Sequence, residues 1–162
     1  MIWNEVQALR TISHPNIAKL QDLYESSGEI LAITQYIGGS TLVKHIQSKG
    51  YLPEAETIYL MRMTLQTLQD LHKQKVIHRN LHPENILINY TSNGTQLKIV
   101  NFSSSCTLDS NDQSSWHVEK NLLTRCGTSG YMAPELFFNQ QSTIESEIFS
   151  MGAIIYAWYE NY

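Results

Sequence analysis

The strongest constraint in this sequence is the segment Glu54–Lys73, where Ile58, Met61, Leu65, Leu68 and Leu71 recur at helical spacing as one apolar stripe. Pro53 suits a first helical turn, and Glu54 and Glu56 suit the positive end of the helix dipole. On its N-terminal side two short apolar runs, Ile17–Tyr24 and Ile30–Tyr36, flank Ser26-Ser27-Gly28, which predicts an antiparallel hairpin. On its C-terminal side two more β-like runs, Ile86–Asn89 and Leu97–Val100, flank a turn at Thr91-Ser92-Asn93-Gly94. Three further helices are predicted. Asn4–Arg10 carries Val6 and Leu9 and is broken by His14-Pro15-Asn16-Ile17. A short helix with Leu42, Val43 and Ile46 follows Gly38-Gly39, capped by Ser40 or Thr41. Ser146–Tyr159 has Ile148, Met151, Ile155 and Tyr159 on one side. The sum is one mixed α and β domain.

Composition narrows the function classes. With 162 residues, 42% apolar and 16% charged, the chain can bury a core. Its net charge is −4 and no Lys/Arg block exceeds two residues, so a nucleic-acid partner is not expected. No apolar run approaches the roughly 20 residues that span a bilayer, and the first residues lack the pattern of a signal peptide. Two cysteines, Cys106 and Cys126, are too few for a disulfide framework and read as free thiols in a reducing, cytoplasmic setting. Ser103–Ser115 is polar and serine-rich, the composition of a loop.

The chemistry-bearing segment is Ile77-His78-Arg79-Asn80-Leu81-His82-Pro83-Glu84-Asn85-Ile86-Leu87. Sixteen positions after Asn85 comes Asn101-Phe102-Ser103. Then follow Cys126-Gly127-Thr128-Ser129-Gly130-Tyr131-Met132-Ala133-Pro134-Glu135 and Glu147-Ile148-Phe149-Ser150-Met151-Gly152. In this order they resemble four landmarks of the protein kinase domain: the catalytic loop H-R-D-L-x-x-x-N, the D-F-G, the A-P-E that ends the activation segment, and the start of the next helix. Upstream, His14-Pro15-Asn16-Ile17 and Ile33-Thr34-Gln35-Tyr36 resemble the end of the small-lobe helix and the hinge strand. The wording C-G-T-x-G-Y-M-A-P-E is most similar to serine/threonine kinases, particularly the calcium/calmodulin-dependent group.

The resemblance implies an α+β kinase-like fold: a small-lobe remnant and hinge over 1–37, and a mainly helical large lobe over 38–162, both incomplete. It implies ATP and Mg²⁺ as cofactors and a protein substrate or protein partner. Glu5, Gln35, Tyr36, Leu87 and Asn101 fall at cofactor-binding positions, and Asn85 and Asn101 at metal-binding ones. Phe102, Thr124, Thr128 and Glu135 belong to the activation segment, with Thr128 expected to hydrogen-bond the catalytic loop.

Against that template the phosphate site has lost its charges. Asn80 stands where the family has its catalytic aspartate, and an amide cannot take a hydroxyl proton; loss of a positioned base costs about 10²–10⁴-fold in rate. Asn101 stands where a metal-binding aspartate is expected, and a neutral amide is a poorer ligand for a hard dication. His82 replaces a lysine with an imidazole that is mostly neutral at pH 7. Ser103 replaces a glycine and adds a Cβ where backbone freedom is often used. With no partner lysine before it, Glu5 is expected to face water. Glu147, in place of an aspartate, should still anchor the catalytic-loop backbone. These substitutions point to a kinase-like binding or regulatory module with impaired transfer; the alternative is an active ATP-dependent serine/threonine kinase of which this is a fragment.

Overall fold

A computed structural model of the chain describes residues 2–107, 126–138 and 141–159. Helix α1 (Ile2–Thr11) buries Val6, Ala8 and Leu9. Strands β1 (Leu20–Ser26) and β2 (Glu29–Thr34) pair antiparallel with Ser26 opposite Glu29. Ser27 and Gly28 form the turn, at φ 50° and 84°; two left-handed residues match the twist of a two-residue hairpin. The hairpin starts later than expected because Ile17 pairs elsewhere, in a parallel bridge to Ile99.

After a two-residue strand, β3 (Ser40–Thr41), helix α2 (Leu42–Lys49) begins under a Thr41 cap, whose Oγ1 accepts the Lys44 N–H at 3.3 Å. Helix α3 occupies Glu54–Lys73, the span read from the sequence. Its buried face is rotated from the expected stripe. Leu60, Thr64, Thr67, Leu68 and Leu71 are buried, while Ile58 and Leu65 are exposed and Met61 is half-buried. The two threonines enter the core because each hydroxyl donates to the preceding turn, Thr64 to Leu60 O at 2.9 Å and Thr67 to Met63 O at 2.7 Å. A hydroxyl satisfied in this way loses its desolvation penalty, and the methyl packs as an apolar group.

Strand β4 (Val76–Ile77) pairs with β7 (Cys106–Thr107). Between them, β5 (Ile86–Thr91) and β6 (Gly94–Ile99) form a hairpin with Ile86 opposite Ile99, and β3 adds to β5. Short 3₁₀ turns lie at Pro83–Asn85 and Phe102–Ser104. Helices α4 (Pro134–Phe137) and α5 (Ile144–Tyr159) follow. On α5 the buried residues are Ser146, Glu147, Met151, Ile154 and Trp158; of the expected stripe only Met151 is among them, and Ile148 and Tyr159 are exposed. A buried carboxylate and hydroxyl with partners of their own turn the helix away from its simplest apolar reading.

The core gathers Leu60, Leu68 and Leu71 of α3, Ile86 and Ile88 of β5, Ile99 of β6, Phe102, and Met151, Ile154 and Trp158 of α5. Trp3 is exposed, and Trp116 lies outside the described residues. The α+β fold class expected from the sequence is the one observed. Among the described residues no helix is long and apolar enough to cross a membrane.

Candidate functional site

The loop leaving β4 is fastened from below by one carboxylate. Glu147, on α5 and almost fully buried, accepts the backbone N–H of His78 and, at 2.7 Å, that of Arg79. Its other oxygen meets His72 Nε2 of α3 at 2.7 Å. The anchoring role expected of Glu147 thus has a geometric basis, despite its extra methylene.

His78 is buried. Its Nε2 lies 3.0 Å from Val100 O, so that nitrogen donates, and Nδ1 accepts the Asn80 N–H at 3.3 Å. Burial pushes its pKa below the ordinary value, with the nearby Glu147 charge opposing. The ring stands edge-on to Phe102 at 4.7 Å between centroids. Both nitrogens are engaged within the protein, which leaves neither for a metal. Arg79 has φ 67° and its Nε donates to Ser142 Oγ at 3.1 Å.

Three asparagines and an imidazole then form one neutral network. The Asn85 side-chain NH₂ donates to Asn80 O at 2.9 Å and to His82 Nε2 at 2.8 Å. An accepting Nε2 makes His82 neutral, and burial lowers its pKa against the pull of Glu84. Asn85 Oδ1 in turn accepts from Asn101 Nδ2 at 3.3 Å, and Asn101 Oδ1 accepts the Ser103 hydroxyl at 2.7 Å. The Thr128 hydroxyl donates to Asn80 Oδ1 at 3.0 Å. The positions read as catalytic, metal-binding and activation-segment are therefore adjacent, and every link between them is uncharged. Among the described residues, no group of three or more His, Cys, Asp or Glu side chains is arranged to hold a metal ion.

Above this network is a cleft of about 330 Å³. Glu5, Gln35, Tyr36, Leu87 and Asn101, the five residues assigned to cofactor binding, all line it. Leu9, Ala18, Thr34, Ile37, Val100 and Phe102 complete the wall. Leu9, Ala18 and Val100 were missed as lining, although each lies next to, or within, a segment the motifs mark. Tyr36 is 90% exposed. The Gln35 side chain is tied back, its Oε1 accepting from Lys98 Nζ at 3.0 Å.

Two expectations need correcting. Glu5 does not simply face water: α1 packs on the Phe102–Ser104 turn, and Glu5 Oε1 accepts the Phe102 N–H at 3.2 Å. A backbone N–H thus supplies Glu5 with a donor. Ser103 meets no backbone conflict, because it lies within the 3₁₀ turn. The left-handed residue is its neighbour Asn101, at φ 66° and ψ 68°, a conformation that asparagine tolerates better than most residues. Glu135 Oε1 accepts the Ser146 hydroxyl at 2.9 Å. Thr124 and most of the Ser103–Ser115 stretch lie outside the described residues. Cys106 and Cys126 are free and half-buried, and burial pushes both thiols up.

Comparison with known proteins agrees with this geometry. The family model described as "Protein kinase domain" matches residues 1–162. The chain is 32% identical over 155 residues to the serine/threonine-protein kinase ATG1c of Arabidopsis thaliana, covering 96% of this chain and 20% of that protein. It is 30% identical over 157 residues to the human serine/threonine-protein kinase DCLK3, covering 96% and 23%. It is 32% identical over 153 residues to the calcium/calmodulin-dependent protein kinase type 1 of Macrobrachium nipponense, covering 94% and 42%. The chain thus spans from a fifth to less than half of the length of these relatives. The serine/threonine type is that of these relatives; on its motifs, its fold and these matches, the chain itself belongs to the protein kinase domain family.

Proposed function

We propose that this kinase domain works as a binding or regulatory module in the cytoplasm, with phosphoryl transfer impaired. The observation that carries the reading is the uncharged network Asn80–Asn85–Asn101 with His82. Phosphoryl transfer relies on fixed charge: carboxylates for the metal and a carboxylate aimed at the substrate hydroxyl. The Mg²⁺ expected of the family does not fit this donor set. Both candidate oxygens belong to neutral amides, one accepts the other's N–H, and the second accepts Ser103. A planar ring fits better. Leu9, Ala18, Ile37, Leu87 and Val100 give the cleft apolar walls, and residues 34–37 supply hinge backbone. The division into a small-lobe part, 1–37, and a large-lobe part, 38–162, follows the same reading, with the cleft between them.

The test is the unfolding midpoint with ATP, with and without Mg²⁺. Equal midpoints in the two conditions are expected. A clear further rise with Mg²⁺ would overturn the proposal, since a ligand stabilises only by its preferential binding to the folded state. The alternative, an active serine/threonine kinase, draws support from the retained Asn85. It predicts phosphate incorporation into a protein substrate that disappears in Asn85→Ala.

A further inference from the structure

A second groove, of about 570 Å³, lies between the end of α1, the His14–Pro15 turn, the start of β1 and Lys98 of β6. It shares Leu9, Ala18 and Gln35 with the cleft as a common wall. Leu9, Ile12, Ile17 and Leu20 make its apolar surface. Among the described residues, every ionisable side chain lining it is basic or imidazole: Arg10, His14, Lys19 and Lys98. In a chain of net charge −4 this is a local reversal of sign.

Among the described residues, no salt bridge involves Arg10, Lys19 or Lys98, whereas His14 meets Asp70 at the rim at 3.3 Å. Among the described residues, Lys98 Nζ donates to two neutral oxygens, Ile17 O at 3.2 Å and Gln35 Oε1 at 3.0 Å, and burial lowers its pKa. An ammonium held partly out of water by two neutral acceptors is positioned to gain from an arriving anion. The wall is also tied by hydrogen bonds. His14 Nδ1 accepts the Asn16 N–H at 3.0 Å, and the Asn16 side chain donates to Thr67 Oγ1 of α3 at 2.9 Å. A pre-ordered groove avoids the entropy cost of assembling on binding.

We propose that this groove docks a short acidic segment of a protein partner, its apolar side chains on Leu9, Ile12, Ile17 and Leu20 and its carboxylates on Arg10, Lys19 and Lys98. The size suits a few side chains, and the lining combines an apolar surface with one sign of charge.

The test is fluorescence anisotropy of the full chain with fluorescein-labelled Glu-Leu-Glu-Phe-Glu-Glu and no nucleotide. Saturable binding that weakens with added salt is expected. The double variant Arg10→Glu/Lys19→Glu should bind about tenfold or more weakly, and Lys44→Glu, on the exposed side of α2, should bind as the unaltered chain does. Circular dichroism of each variant checks that the fold is kept. Four results would overturn the proposal: no saturable binding, equal binding of a peptide with every glutamate replaced by lysine, equal binding of one with glycine in place of leucine and phenylalanine, or an unchanged double variant. A stabilising effect of Mg²⁺ on ATP binding, with peptide binding intact, would remove the functional reading above and leave this groove standing.

Discussion

Asn101 donates its side-chain amide to Oδ1 of Asn85 at 3.3 Å, so the two side chains best placed to share a dication instead satisfy each other. An aspartate at 101 cannot make that donation and would set two oxygens face to face. Asn101→Asp is therefore expected to cost the metal-free protein about 1 kcal/mol, the worth of one exchanged hydrogen bond. Mg²⁺ should recover that loss. Combined with Asn80→Asp, it should make ATP-dependent stabilisation respond to Mg²⁺. Thermal unfolding with and without Mg²⁺ reads both effects. Identical metal responses in the double variant and the unaltered chain would mean that charge is not what this site lacks.

The Glu147 carboxylate is the joint between α5, α3 and the loop leaving β4. Glu147→Ala would strand two backbone N–H groups, of His78 and Arg79, and the His72 imidazole in the interior. Removing one side of such a buried arrangement costs about 3–5 kcal/mol. Glu147→Asp keeps the charge with one methylene less reach and should lose clearly less. Urea unfolding compares them, and similar losses for the two variants would show that reach rather than charge dominates.

These two sites mark how far sequence reasoning extends. The limits of α3 were legible because Pro53, Glu54 and Glu56 signal locally where a helix starts. Its buried face was not, because Thr64 and Thr67 conceal their polarity through bonds to their own helix. The cleft residues Glu5, Gln35, Tyr36, Leu87 and Asn101 were legible through motif position and do line one cavity. The actual partner of Glu5, a backbone amide 97 residues away, carries no sequence signal, because every residue type except proline offers a backbone N–H. For the same reason Arg10, Lys19 and Lys98 look like scattered surface charges until the fold brings them to one groove.

Acid should unfold this protein in two stages. Burial holds His78 and, less deeply, His82 below their ordinary value of 6.5. The unfolded chain therefore binds protons first, and stability present above about pH 6.5 declines as pH falls through that value and on toward the folded values. Glu56 acts lower. Burial works against its charge, but donation from Tyr90, Lys49 and His45 outweighs this and keeps it below its ordinary 4.5. Its contribution, present above pH 4.5, disappears as pH drops through the folded value. Urea midpoints measured from neutral pH downward should show the first decline reduced in His82→Asn. Midpoints that stay flat between neutral pH and pH 5 would contradict the histidine assignment.

Two glycines with similar backbone angles should respond very differently to alanine. Gly28, at φ 84° in the β1–β2 turn, has nothing within 4 Å of the position a Cβ would take. Gly28→Ala should cost about 1–2 kcal/mol, the left-handed penalty of an L-residue. Gly39, at φ 98°, precedes β3, and a Cβ there would sit 2.2 Å from Ile88 O and 2.9 Å from Asn89 Cα. Both obstacles are backbone of β5 or the atoms that define it, so neither can swing aside as a flexible side chain would. Relief requires separating β3 from β5, which loosens the pairs Ser40–Ile88 and Thr41–Leu87 and the start of α2 behind them. Gly39→Ala should therefore add an overpacking cost of about 1–3 kcal/mol to the conformational one. Equilibrium urea unfolding of the two variants side by side measures the difference, and equal losses would mean that the approach of residue 39 to β5 is not a fixed feature of the fold.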